Sequence, residues 1–345
     1  MSTKAKARWK LALNIITTLG LILLIYGIRD HIWESFRTTK HIRAWLLPLL
    51  IVWQWLNYDA YTRQNRGLLR ILGEKLDYKY LFRVNLELNF INHILPSGGV
   101  SGFSYFSMRL KDRGISGAKS SLVQLVRWIL IFVSFQVMLF FALIMLSFSG
   151  HVNRLVILTG SSLTTLILVG TAIIAFVIGS KQRINAFFGF LTKAVNRLIH
   201  VVRPKHPETI NVARVEDAFE RLHENYLLIK NDYSALKWPF IWSLVANLTE
   251  FLTLYTVYVA FGHWVNPGAV ILAFAVANFA GFLSVLPAGV GIYETLMTAI
   301  LVVGGVPASV SIPVTIMYRV MSMIIQIIPG YILYHKHQRA TKALV

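Results

Sequence analysis

Five ionisable residues, Glu87, Arg127, Glu250, Glu294 and Arg319, fall inside long apolar stretches of the chain. Placing such a group near the centre of a bilayer costs at least about 2.5–3.5 kcal/mol on insertion scales, so it is expected to be paired or put to use. The symmetric expectation pairs Glu294 with Arg319 and Glu87 with Arg127. Fixed ion pairs that hold helices together are one reading of this set. The other is chemical. A guanidinium grips a phosphate through two parallel hydrogen bonds, so the arginines suit an anionic head group. Glu294 and Glu250 would then carry coupling protons or meet a cationic head group.

Two helix breaks lie beside these charges. Leu286-Pro287-Ala288-Gly289-Val290-Gly291-Ile292-Tyr293-Glu294 interrupts one apolar segment, and Asn92-His93-Ile94-Leu95-Pro96-Ser97-Gly98-Gly99 interrupts another. Proline removes a backbone donor and lipid supplies no substitute partner. Broken backbone at this depth must therefore be buried in protein or line a wet cavity. Pro96 and Pro287 mark the breaks. A helix restarting after Gly99 or Gly289 points free N–H groups at any nearby anion. Asn92, Ser97, Gly98, Gly99, Asn278, Gly289, Gly291 and Tyr293 complete the candidate substrate-binding set around the five charges. The amides Asn89, Asn92, Asn247 and Asn278 have a plainer explanation in helix–helix hydrogen bonding. Tyr105, Tyr293 and Tyr318 have one in packing.

Enzyme chemistry is not expected. The chain has no Gly-x-Ser-x-Gly, no Gly-rich phosphate loop with its Lys and no His-Glu-x-x-His, the patterns that place nucleophiles, phosphates or zinc. The absence of cysteine excludes disulfides, thiol nucleophiles and thiolate-bound metals. No cofactor or metal is expected, and His335-Lys336-His337 reads as a solvated tail.

Membrane helices must position these residues. The chain is 56% hydrophobic and only 14% charged, against about 25% charged in a soluble domain. Its net charge of +19 is confined to segments between apolar runs, as topology and anionic lipid surfaces require. No nucleic-acid motif accompanies it. A single all-α polytopic membrane domain is expected over residues 1–345. Spans are predicted at Leu11–Ile28 (retained, since no small-x-small cleavage site follows), about Ala44–Tyr58, Leu122–Phe148, Leu155–Ile178, Trp238–Phe261 and Val310–Tyr334. Arg66–Tyr80 places Leu68, Leu69, Leu72 and Leu76 on one side and is predicted to lie on the membrane surface. A cytoplasmic amphipathic hairpin is predicted over about 181–237.

The two breaks belong to a repeat. Gly114 and Arg127 follow Pro96 by 18 and 31 residues, and Gly305 and Arg319 follow Pro287 by 18 and 32. This predicts repeat one over about 44–148 and repeat two over about 238–334. Tyr80–Leu110 has 31 residues, too few for two crossings of about 20 residues each plus a turn. If each break instead sits in a re-entrant hairpin, 27 basic residues face the cytoplasm and 5 face outward, in accord with the positive-inside rule. The predicted fold is about six transmembrane helices plus two opposed re-entrant helical hairpins in an inverted-topology repeat. Both termini would be cytoplasmic, in the cell (cytoplasmic or inner) membrane. Broken helices of such repeats usually meet near the bilayer midplane at a substrate site.

The Leu286–Glu294 stretch, Gly304-Gly305-Val306 and Tyr318-Arg319…Pro329-Gly330 resemble the second half of the flippase-like transmembrane region of lysylphosphatidylglycerol synthases. Asn92…Leu95-Pro96-Ser97-Gly98-Gly99 with Gly114 resembles its first half, and the resemblance covers about residues 10–335. Tyr293 stands where that family often has Arg, and Ala288 where it often has Gly. In the family this region translocates aminoacylated phospholipid, while a separate soluble domain makes the lipid. The resemblance implies a stand-alone member lacking the aminoacyltransferase domain. The expected function is a lipid flippase for an anionic, aminoacylated or isoprenoid-linked lipid, with membrane phospholipid or a lipid-linked precursor as partner and a homo-oligomer possible. The alternative is a non-catalytic membrane partner of an envelope-lipid or glycan biosynthesis enzyme.

Overall fold

The computed structural model describes residues 43–94, 100–148, 154–180, 182–183, 186, 224–283 and 291–343. The expected span Leu11–Ile28 and most of the 181–237 hairpin lie outside the described residues. So do both Pro/Gly turns, with Pro96, Ser97, Gly98, Gly99, Pro287 and Gly289.

The described elements are helices, with no strand among the described residues: α1 (Leu49–Ile71), α2 (Tyr78–Ile94), α3 (Val100–Lys111), α4 (Gly117–Phe148), α5 (Arg154–Ile178), α6 (Lys237–Ala260), α7 (Pro267–Leu283), α8 (Ile292–Val303) and α9 (Ala308–Ala343). The series α1–α4 and α6–α9 match in order and length: 23 and 24 residues, 17 and 17, 12 and 12, 32 and 36. At 1.5 Å per residue a 12-residue helix is about 18 Å long, well short of a hydrocarbon core of about 30 Å. Among the described residues three helices are long and apolar enough to cross a membrane: Gly117–Phe148, Tyr233–Ala260 and Ala308–Arg339.

Four corners close in the same way. Gly73, Gly114, Gly262 and Gly305 each adopt φ between +80° and +89° just past a helix end, a conformation a side chain would strain. Gly114 N–H donates to Lys111 O at 3.0 Å and Ile115 N–H to Leu110 O at 3.2 Å; Gly305 to Val302 and Val306 to Leu301 do the same at 3.0 and 2.8 Å. This pairing satisfies carbonyls the helix end would leave bare. The next helices open on side-chain caps: Asp77 accepts the Tyr80 N–H at 3.2 Å, and Asn266 accepts the Gly268 N–H at 2.7 Å.

Packing between helices repeats as well. α1 lies against α6, α2 against α9 and α7 against α4. The α1–α6 seam is polar: Trp53 Nε1 donates to Thr256 Oγ1 at 3.1 Å, Asn57 Nδ2 to Thr249 Oγ1 at 3.2 Å and Gln64 Nε2 to Ser243 Oγ at 2.5 Å. Partners descend in α6 as residues ascend in α1, so these two helices run antiparallel. Glycines bring the other pairs close. A Cβ on Gly268 of α7 would overlap the Ala142 carbonyl of α4, and one on Gly330 of α9 the Leu86 carbonyl and Phe90 Cβ of α2. In lipid, close backbone approach and hydrogen bonds replace the hydrophobic drive between helices.

The structure corrects three expectations. No surface helix begins at Arg66: α1 continues unbroken to Ile71, and Leu68, Leu69 and Leu72 are buried against Leu81, Phe106 and Leu122. The leucine stripe faces protein, because α2–α4 cover it. The last helix runs past Tyr334 to Ala343, through Pro313 and Pro329. His335 and His337 are therefore helical, not a solvated tail. The His335 ring lies 4.3 Å from that of Tyr331, and His337 approaches the buried Arg109.

Candidate functional site

The helix pairs converge on a band of charged and polar side chains. Glu294 sits in the first turn of α8, where one carboxylate oxygen accepts the Gly291 N–H at 2.7 Å and the other meets Arg319 Nε at 3.1 Å. Gly291 itself has φ +87°, so both the turn and its cap need these residue types. The Arg319 guanidinium lies 4.4 Å over the ring of Tyr293, which is buried. The symmetric partner expected for the other half is absent. Glu87 pairs with Arg109, not Arg127: Arg109 Nε donates to Glu87 Oε2 at 2.8 Å, and Tyr105 Oη donates to the same oxygen at 2.7 Å. Arg109 lies one helical hairpin closer to Glu87, on α3, and its charge is almost fully buried.

Arg127 is left with neutral neighbours. It is 8% exposed. Its Nη1 donates to Gln124 Oε1 at 3.0 Å, its plane lies 4.9 Å from the Tyr61 ring, and its Nε has no hydrogen-bond partner. No carboxylate pairs with it among the described residues. Tyr61 in turn lies within electrostatic reach of Glu250.

Glu250 is partly buried and lies within electrostatic reach of Tyr61 and Tyr293, the two tyrosines under the arginines. Tyr318 Oη donates to its Oε1 at 2.7 Å and Gln54 Nε2 to its Oε2 at 3.2 Å. The chain of amides continues: Gln326 Nε2 donates to Gln54 Oε1 at 2.9 Å, and Asn89 Nδ2 to Gln326 Oε1 at 3.2 Å. Every amide in it donates toward Glu250, and it alternates between the two halves. Such aligned bonds polarise one another at low dielectric.

The remaining candidates divide. Asn247 Nδ2 binds Ile131 O at 3.1 Å, joining α6 to α4, and Asn89 joins α2 to α1 and α9. Asn278 Nδ2 instead turns back to Phe274 O of its own helix at 2.8 Å. Asn92 Oδ1 is buried without a partner, and its side chain lies where a Cβ on Gly102 would be. Sequence reasoning missed Arg109, Gln54, Tyr58 and Tyr61. Gln54 carried a signal, as an amide inside Val52-Trp53-Gln54-Trp55-Leu56. Arg109 had none, since it resembles the basic residues that end an inner loop.

Helices with apolar outer faces, such as Phe140, Phe141, Ile157 and Phe176 on α4 and α5, and charges held at the helix interface define an all-α, multi-pass membrane protein. The chain belongs to the lysylphosphatidylglycerol synthase transmembrane-region family, whose family model matches residues 11–330. It is 31% identical over 175 residues to a UPF0104 membrane protein of Methanothermobacter thermautotrophicus, covering 44% of this chain and 52% of that protein. It is 25% identical over 274 residues to a UPF0104 membrane protein of Methanocaldococcus jannaschii, covering 77% and 76%. The chain thus aligns with about half the length of the first relative.

Proposed function

We propose that the protein moves a lipid with a phosphate-bearing head group between membrane leaflets, with Arg127 as the phosphate contact. The observation that carries this reading is the buried Arg127 guanidinium with no carboxylate partner among the described residues. A lone buried cation is costly, and a phosphate supplies the missing charge and the acceptors a guanidinium fits. Several features support a transporter frame. Corresponding helices α1 and α6 run antiparallel, helix lengths match between halves, and each half contains a helix too short to span. An inverted repeat with opposed re-entrant hairpins in the cell membrane accounts for all three. Family membership supports a lipid as the cargo. Aminoacylated, anionic and isoprenoid-linked lipids share the phosphate.

The test is movement of a fluorescent phosphatidylglycerol analogue between leaflets of proteoliposomes. Wild-type protein accelerates it and Arg127→Gln abolishes the acceleration. Equal rates for wild type, Arg127→Gln and empty liposomes would sink the proposal.

A further inference from the structure

Of the three carboxylates Glu87, Glu250 and Glu294, Glu250 has no cation partner among the described residues. Glu87 is held by Arg109 and Glu294 by Arg319. Glu250 has neutral donors on both oxygens, the Tyr318 hydroxyl and the Gln54 amide. The groups that face it from neighbouring helices are phenols: Tyr58 and Tyr61 on α1, Tyr293 on α8 and Tyr318 on α9. Arg127 of α4 and Arg319 of α9 lie over two of these rings, those of Tyr61 and Tyr293 respectively, and α7 carries no titratable side chain. Phenols ordinarily ionise near pH 10 and carboxylic acids far lower, so of these groups the acid is the one that exchanges a proton first as pH falls.

We infer that Glu250 is a proton-binding site and that its protonation loosens the contact between the two halves. The inference rests on the reading of the protein as a lipid mover for its purpose, though the site stands on geometry alone. As a carboxylate, Glu250 accepts from Gln54 across the α1–α6 seam and ends an amide chain whose donors all point toward it. Charge-assisted bonds of this kind are about twice as strong as neutral ones. A proton taken from water on one face adds to one carboxylate oxygen and makes the neutral acid. Its new O–H is a donor where Gln54 and Tyr318 also donate, so acceptor capacity falls and the Gln54 bond loses its charge assistance. The same proton later leaves to water on the other face, and no other bond changes. Because Gln54 belongs to the first half and Glu250 to the second, the weakened Gln54 bond is one that joins the halves, as are the Gln326–Gln54 and Asn89–Gln326 bonds behind it. A cycle of this type couples lipid movement to a proton gradient.

Two measurements separate this inference from the lipid reading. In proteoliposomes carrying the phosphatidylglycerol analogue, an imposed pH gradient changes the wild-type rate by about tenfold, within the usual range of coupling free energies, and leaves Glu250→Gln unaffected. Lipid movement that ignores the gradient overturns the proton site and spares the lipid reading. Absence of any lipid movement sinks the lipid reading, and infrared spectroscopy of the reconstituted protein then decides the proton site. A protonated-carboxyl band that grows as pH falls and is missing from Glu250→Gln supports it; a wild-type spectrum without such a band overturns it. Should Glu250→Gln not fold, Tyr318→Phe must move the pH at which that band appears, and an unmoved band is an overturning result.

Discussion

Arg127 in α4 and Arg319 in α9 hold matching places in the two halves, yet their surroundings differ. Arg319 lies over Tyr293 and is closed by Glu294, whose second oxygen caps α8. Arg127 lies over Tyr61 and beside Trp128, and donates to the amide oxygen of Gln124. Both guanidinia rest on a tyrosine ring, so the shared part of the design is a cation over an aromatic face. The carboxylate is what one half has and the other lacks. Matching backbone thus carries two electrostatic settings: a closed ion pair in the second half, and in the first a guanidinium with no carboxylate partner among the described residues.

Four substitutions test that division. The largest effect belongs to the most buried closed pair, which serves as the reference for a fastener. Arg109→Ala strands Glu87 and should cost about 3–5 kcal/mol, read as a lowered denaturation midpoint in detergent. Glu294→Ala frees Arg319 and uncaps α8, but this pair is more exposed, at 26% for the Glu294 side chain, so the loss should be about 1–3 kcal/mol. The double variant Glu294→Ala/Arg319→Ala should recover part of that loss in a double-mutant cycle. Arg127→Gln should sit at the other end: removing a lone buried cation leaves stability unchanged or raises it by up to about 1 kcal/mol. A loss for Arg127→Gln as large as that for Glu294→Ala would erase the contrast between the two arginines.

The outline of the fold was legible because its signals are local. Apolar runs gave the long helices α4, α6 and α9, and the Gly114 and Gly305 spacing gave two corners whose left-handed φ values demand glycine. The pairing of charges was not legible in full. Glu294 and Arg319 are brought together by the contact of α8 with α9, which the repeat implied. Glu87 had two arginines within reach of a helical hairpin, and spacing favours neither; the short α2–α3 connection decided for Arg109. The leucine stripe of Arg66–Tyr80 failed for a related reason. Amphipathic periodicity shows that one face is apolar, and it does not say whether lipid or protein will cover it. The amides of the central chain, Gln54, Asn89 and Gln326, were isolated polar residues in sequence and became a chain only when α1, α2 and α9 met.

The antiparallel seam of α1 and α6 has one more consequence. An interface between corresponding parts of two like units is what a two-fold homodimer presents to itself, with each copy supplying both a surface and its complement. Here both helices of the seam belong to one chain, so a substitution in one leaves the other unchanged. The seam is asymmetric in its polar contacts, since Gln54 of α1 faces the carboxylate of Glu250 and the hydroxyl of Thr253 on α6. Two helices that meet in this way within one chain are free to differ, and these do.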